Sequence, residues 1–269
     1  MKKPLNELQV KSQKLKGKGQ KWVGIFAFCL LTVDFCFSGD LGTLSGFVKF
    51  PGETPPRNMF ANASDADCPR GIPQTHLLVK QETRGLKNAV IVLDREDRRV
   101  MPTLLQNQLS TVGCQLLPRI QWVLLGSSLA LINKDGAHHH LRGLQRNSTV
   151  FEADLSPQTL SVRRPLVTPG LTKINCDNHL WERAWIYVSP HGSVAISDAE
   201  GKFSIKNIPV GRYHVRAWHE GWEDHGHTPD DRTEFVAMQD ERDVKIRDQE
   251  VASVIFDTLK VASAPGSIN

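Results

Sequence analysis

From residue 43 onward the apolar residues come in short runs, and each run is closed by glycine, proline or a polar turn before it reaches the length of a helix. Residues 43–50 partly alternate and are ended by Pro51, Gly52, Pro55 and Pro56. Residues 76–80 and 89–94 are apolar and β-branched, and residues 119–125 and 128–133 form a pair around Gly126. Residues 158–162, 172–175 and 184–188 follow. Residues 192–196, 202–205 and 213–218 make three more runs, separated by Asp-Ala-Glu-Gly and Pro-Val-Gly. Such runs predict strands, and strands at this spacing predict an all-β sandwich or barrel. Residues 95–112 leave a loop or one helix open, and the small, polar residues 262–269 are expected to fray.

Charge is segregated. Residues 1–38 hold seven lysines against Glu7 and Asp34, which leaves 26 basic and 27 acidic groups for the rest. A body without a positive surplus does not neutralise a phosphate backbone, so no nucleic-acid partner is expected. A hydrophobic content of 40% and a charged content of 23% are globular values. Residues 22–38 are apolar apart from Asp34 and follow a lysine-rich stretch, which is the order of a secretory signal. The run is shorter than the roughly 20 residues of a spanning helix. An uncleaved anchor is the alternative, and membrane contact is expected only through residues 22–38. Phe28 before Cys29 and Phe35 before Cys36 disfavour a lipoprotein signal. The expected location is periplasmic or secreted. Cleavage leaves Cys68, Cys114 and Cys176.

The densest chemistry is Cys176-Asp177-Asn178-His179, followed by Leu180, Trp181 and Glu182. A cysteine and a histidine three apart, on a loop between two strands, can close on one metal. Upstream, His138-His139-His140 follow the end of another predicted strand. A sandwich gathers such loops at one pole. Two imidazoles and a thiolate form the trigonal set that selects copper for electron transfer. Cys68 and Cys114 remain as a disulfide pair in an oxidising compartment, with two separately buried thiols as the alternative. The histidines and carboxylates of residues 219–227 read as a solvated loop before a second metal site. The sequons at Asn62 and Asn147 read as chance.

With these motifs in view, the chain resembles the exported bacterial cupredoxin-like proteins, in which a plastocyanin-like sandwich is joined to a carboxypeptidase-regulatory-like module. Asn133, Asp135, His139 and Gly143 match the family's Asn-x-Asp-x-x-x-His motif and its following glycine, which singles out His139 from the triple. Cys176, His179 and Trp181 match Cys-x-x-His-x-Trp-Met, with Glu182 in the methionine's place. Asp198, Gly201, Phe203 and Ile205 match one further motif; Pro209, Gly211 and Tyr213 match another; Trp218, His219 and Glu220 match a third. Gly46, Val48, Phe50 and Gly52 match the family's opening motif, so the likeness runs over residues 43–222. It implies an all-β fold: a cupredoxin-like Greek-key β-sandwich over residues 39–190 and a small carboxypeptidase-regulatory-like β-sandwich module over residues 191–252. A signal or anchor precedes these at 1–38, and a tail follows at 253–269.

The function expected from this reading is that of an exported, non-enzymatic electron carrier with one copper ion and an unidentified redox partner protein. Its ligands are His139, Cys176, His179 and, at the axial position, Glu182. A carboxylate there favours Cu(II) and also suits zinc. Copper storage or delivery is the alternative, followed by a structural β protein with a decayed site. A multicopper oxidase needs four His-x-His pairs, and only His138/His140 and His225/His227 exist. The chain has neither Cys-x-x-Cys-His for haem attachment nor Gly-x-Ser-x-Gly for a hydrolase.

Overall fold

A computed structural model describes residues 40–52, 60–61, 66–73, 75–94, 107–146, 148–157, 161–222, 224–227 and 232–262. The signal or anchor segment, both sequons' asparagines and residues 95–106 lie outside them. Among the described residues every regular element is a strand. In chain order these are β1 (Leu41–Val48), β2 (Phe60–Ala61), β3 (Ile72–Pro73), β4 (Val90–Leu93), β5 (Gln108–Thr111), β6 (Leu116–Leu117) and β7 (Ile120–Leu124). Then come β8 (Ser128–Asn133), β9 (His139–Gln145), β10 (Ser148–Leu155), β11 (Val162–Pro165), β12 (Gly170–Cys176), β13 (Arg183–Ser189) and β14 (Val194–Ile196). The last are β15 (Lys202–Pro209), β16 (Gly211–His219), β17 (Asp224–His227), β18 (Thr233–Phe235), β19 (Met238–Ile246), β20 (Val251–Phe256) and β21 (Lys260–Val261). No helix of the described residues is long and apolar enough to cross a membrane.

Two sheets make the first sandwich: β10-β9-β12-β13-β7 and β11-β8-β5-β6. Alternation along each strand sends one set of side chains inward. Leu109, Val123, Leu129, Leu131, Leu141, Ile174, Ala184 and Ile186 fill the space between the sheets. Gly143 on β9 leaves room for the Phe151 ring of β10, which a Cβ would approach at 2.4 Å. The glycine of the Asn-x-Asp-x-x-x-His motif is therefore a packing residue.

Sheets β14-β4-β16-β19-β21 and β15-β1-β20 enclose a second core with Leu44, Val48, Leu86, Ile91, Leu93, Ile205, Val215 and Phe256. The two cores do not follow the linear division. β1 pairs antiparallel with β15 and parallel with β20. Strand β4, also ahead of residue 191, pairs with β14 and β16. β20 reaches Phe256, into the stretch assigned to the tail. The second core is thus closed by strands from both sides of the first. Its motifs are turn and corner devices. Asp198 Oδ1 accepts from the amides of Glu200 and Lys202 across a turn in which Gly201 has φ +81°. The Tyr213 hydroxyl donates to the Pro209 carbonyl at 2.7 Å.

Residues 76–80, expected as a strand, form only a bridge between Val79 and Leu86. The stretch 95–112, which its sequence leaves open as a loop or one helix, carries β5 at its described end, where Leu109, Ser110 and Thr111 are buried. The three longest of the other strands that were not anticipated are β9, β10 and β19. β9 and β19 are rich in polar residues, so their patterns carry weak apolar signals. β10 alternates cleanly, with Phe151, Ala153 and Leu155 buried.

A third apolar cluster joins the two cores: Val90, Val92, Ile120, Tyr187, Val194 and Trp218, flanked by Trp122 and Trp185. Beside it, buried Glu220 takes a bidentate pair from Arg119 at 2.8 and 2.7 Å and a third bond from Trp185 Nε1 at 3.0 Å. Burial would raise the Glu220 pKa, but Arg119 holds it below the ordinary carboxylate value. His219 is fully buried next to it, and desolvation lowers its pKa to about 4. His76, stacked on Phe235, is lowered to about 4 for the same reason.

These two histidines set a pH dependence. The unfolded chain takes up their protons near 6.5 and the folded chain only near 4, so stability is full above 6.5 and is lost as pH falls towards 4. Thermal unfolding should give a Tm that declines steadily across that window, with a shallower decline in His219→Gln. A Tm that stays flat from pH 6.5 to 4 would refute this assignment.

Candidate metal centre

Cys176 is the last residue of β12, and its register partner on β9 is Leu141. His139 opens β9, opposite Leu155 of β10. Strand alternation resolves the histidine triple: His139 points inward and is fully buried, while His138 is exposed and His140 half-buried. The outward pair engages acids instead. His140 Nδ1 lies 2.7 Å from Asp154, and His138 Nε2 lies 3.7 Å from it.

The turn from β12 to β13 carries the other residues. It is closed by Glu182 N donating to His179 O at 3.0 Å and by Asp177 N donating to His140 O at 2.8 Å. This folds His179 and Glu182 back over Cys176. His139 Nδ1 is 3.0 Å from Glu182 Oε2 and 3.1 Å from His179 Nδ1. Cys176 Sγ is 3.5 Å from His179 Nδ1 and 3.8 Å from His139 Nδ1. All four side chains are buried, and their donor atoms lie within 4.8 Å of one another.

Two of these separations, 3.5 and 3.8 Å, fit a metal as they stand, and the 3.0 and 3.1 Å pairs are shorter, at hydrogen-bond length. Bonds of about 2.0–2.3 Å around a tetrahedral ion put its ligand atoms roughly 3.3–3.8 Å apart. The donor chemistry agrees. His139 Nδ1 faces a carboxylate, a second imidazole nitrogen and a sulfur together, and one ring proton cannot serve three partners. Thiolate, two imidazoles and a carboxylate form a set that both copper and zinc accept.

Electrostatics among the four groups point the same way. At His139 burial pushes the pKa down, but hydrogen bonds to Cys176 and Glu182 prevail and raise it to about 9. At Cys176 burial pushes up, and the hydrogen bonds from His139 and His179 prevail and lower it. At Glu182 burial again pushes up, and the same two histidines lower it. The site favours a positive charge between two anions.

Each imidazole has a partner behind it. His139 Nε2 lies 3.3 Å from Asp135 Oδ2, in ion-pair range though not aligned as a hydrogen bond. A carboxylate behind a ligating histidine fixes its ring and tautomer. Asp135 also accepts from the amides of Gly113 and Cys114. His179 Nε2 lies 3.5 Å from Cys68 Sγ. Cys68 and Cys114 form a disulfide with Cα atoms 5.7 Å apart, and Cys176 is the free cysteine of the described residues. Trp181 packs beside this bridge and donates Nε1 to the Cys114 carbonyl at 2.9 Å.

Other residues came without warning. Arg119 and Arg183 line, with Trp181 and Glu182, a cleft beside the site. The stretch after Trp218 is not simply a solvated loop, because His219 and Glu220 are buried between the cores. No group of potential metal ligands among the described residues includes them.

No protein-family model matches the chain, and no curated protein matches it. Among solved structures it is similar to a purple cupredoxin from Nitrosopumilus maritimus, at 18% identity over 30% of this chain and 98% of the other, with a TM-score of 0.28. A mutant plastocyanin of fern aligns at 13% identity over 30% of this chain and 99% of its own, with a TM-score of 0.28. A copper-containing nitrite reductase from Thermus scotoductus SA-01 aligns at 18% identity over 36% of this chain and 24% of its own, with a TM-score of 0.29.

Asn133 organises the loop that delivers His139. Its Nδ2 donates to the Ala137 and Leu155 carbonyls at 2.8 and 2.9 Å. Its Oδ1 accepts from the Asp135 amide at 2.8 Å and the Thr111 hydroxyl at 2.9 Å. At about 1 kcal/mol per net hydrogen bond, Asn133→Ala should cost about 2–4 kcal/mol in chemical denaturation and weaken metal retention in dialysis. A loss below about 0.5 kcal/mol would mean that the loop is held elsewhere.

Proposed function

We propose that the chain is an exported protein that binds one copper ion through His139, Cys176 and His179, with Glu182 in the fourth position, and serves as an electron carrier. The observation that supports this reading is the meeting of four buried donor atoms at 3.0–3.8 Å. When bound, copper supplies a one-electron couple. The residues do the rest. Cys176 binds as a soft thiolate, the two histidines bind through Nδ1, and Asp135 orients His139. Glu182 adds a hard, charged oxygen, which favours the oxidised form and lowers the potential relative to a methionine.

The first sandwich is read as cupredoxin-like and the second core as carboxypeptidase-regulatory-like, on the motifs quoted above. The second core braces the first through Arg119 and Glu220. The Cys68–Cys114 bridge favours an oxidising compartment, periplasmic or extracellular. The partner in electron transfer is another protein. Zinc is the second reading, favoured by the carboxylate in the ligand set.

Metal analysis of protein exported to an oxidising compartment, with a visible spectrum, tests the proposal. The copper form should show an intense thiolate-to-copper band and reversible one-electron reduction. A colourless zinc protein selects the second reading, and copper without reversible reduction selects storage or delivery. In Cys176→Ser the band should vanish entirely, and its survival would refute the thiolate ligand. Glu182→Met should raise the reduction potential and move the spectrum towards that of a methionine-capped site. An unchanged potential would show that Glu182 is not a ligand.

A further inference from the structure

The disulfide beside the site is placed to become a site itself. Cys68 Sγ lies 3.5 Å from Nε2 of His179, the ring nitrogen opposite the one that faces Cys176. The donor atoms of Cys68, Cys114 and His179 all lie within 4.8 Å of one another, and all three residues are buried. Cys114 is also within that distance of donor atoms of Asp135, His139 and Glu182. The two sulfurs therefore adjoin the first ligand set across the His179 ring.

We propose that reduction of the Cys68–Cys114 disulfide by a thiol reductant creates a second metal site for Cu(I), formed by both thiolates and His179 Nε2, so that the imidazole joins two copper ions. This goes beyond the single-copper reading, from which it borrows His179.

Several features favour it. Thiolates are soft ligands that select Cu(I), and the reductant that opens the bridge also keeps copper in that state. The backbone of Cys114 does not depend on the bridge for its position. Its amide donates to Asp135 at 3.1 Å, and its carbonyl accepts from Trp181 Nε1 at 2.9 Å. Cys68, 7% exposed, sits between exposed neighbours Asp67 and Pro69, so the sulfur that touches His179 is also the one nearer to solvent. Thiolates on one ion with bonds near 2.3 Å stand about 3.8 Å apart, a separation that side-chain rotation about two fixed Cα atoms supplies. In the balanced step, the reductant's two sulfurs join as a new disulfide, and the protein bridge takes up two electrons and two protons. Binding of Cu(I) then releases the two thiol protons, and His179 releases its ring proton where it spans both ions.

The test is an anaerobic Cu(I) titration against a chromophoric chelator. It is run on the folded protein as isolated and after treatment with dithiothreitol, with the reductant removed. The expected capacity doubles, from one equivalent per chain in the oxidised protein to two in the reduced. The double variant Cys68→Ser/Cys114→Ser should take one in both conditions. Reduced Cys176→Ser should still take one, and oxidised Cys176→Ser none. A capacity that stays at one on reduction overturns the proposal, and so does a second equivalent bound by the double variant. If the double variant does not fold, alkylation of the reduced wild type decides. Mass spectrometry should find Cys68 and Cys114 modified at one equivalent of copper and protected at two, and modification at both loadings overturns the proposal. If the oxidised wild type takes no copper, the single-copper reading fails on its own, and an equivalent that appears only on reduction and disappears in the double variant still supports the dithiol site.

Discussion

His139, Cys176, His179 and Glu182 share one buried space, and much of the surrounding structure serves to hold them there. Burying a carboxylate, a thiolate and two imidazoles costs several kcal/mol for each charge left uncompensated. The cost is offset only if the groups meet one another, or a cation, at close range. That requires backbone that does not relax. Two residues open or close adjacent strands of one sheet, and the other two occupy a short turn tied back to β9 by the Asp177 amide. Asn133 fixes the preceding loop with four hydrogen bonds. The disulfide and Trp181 cover His179 from outside.

The two-stranded sheet β17-β18, outside both cores, acts on the same turn. Asp177 follows Cys176, and Arg232 reaches its carboxylate at 3.2 Å. Arg183 follows Glu182, and its NH2 donates to the Thr233 carbonyl at 2.7 Å. Both ends of the β12–β13 turn are thus held by residues 232–233, at the start of β18. The Arg119–Glu220 pair and the tryptophans of the shared cluster set the distance between the cores. A buried pair with bidentate geometry contributes less to net stability than to relative placement, and placement is what a turn that brings together four buried polar groups requires. The Trp-His-Glu run therefore acts on the placement of the buried cluster from a distance, without joining it.

Much of this was legible in the sequence, and the exceptions have physical causes. Strands that bury apolar residues on at least one face, such as β8, β12 and β13, announced themselves. β9 was hidden because its inward positions are His139, Leu141 and Gly143, which do not make an apolar stripe. β19 was hidden by its charged outward face. The partition into cores was illegible for another reason: β1 meets β15 and β20 through pairing over long sequence distances, which no local pattern encodes. That His139, Cys176, His179 and Glu182 would meet was recoverable because a turn of fixed spacing carries three of them. Asp135 was matched only as part of a motif, and Arg119 and Arg183 gave no signal, since an arginine becomes interior only when the fold supplies its acid.

The carboxylate at position 182 changes what the site asks of the protein. A methionine there would be neutral and content in an apolar pocket, with or without a metal. Glu182 is 1% exposed, and as a carboxylate it needs positive charge beside it. His139 can supply it: burial pushes its pKa down, and its hydrogen bonds to Cys176 and Glu182 prevail and raise it to about 9. The ring then donates to groups that would otherwise bind the ion. Under the proposed function, a bound metal would bring the charge itself, and the same ring would turn its lone pair inward without leaving the anions unbalanced. The buried acid would then couple the protonation of one imidazole to occupancy of the cluster, with both residues held on their strand and turn.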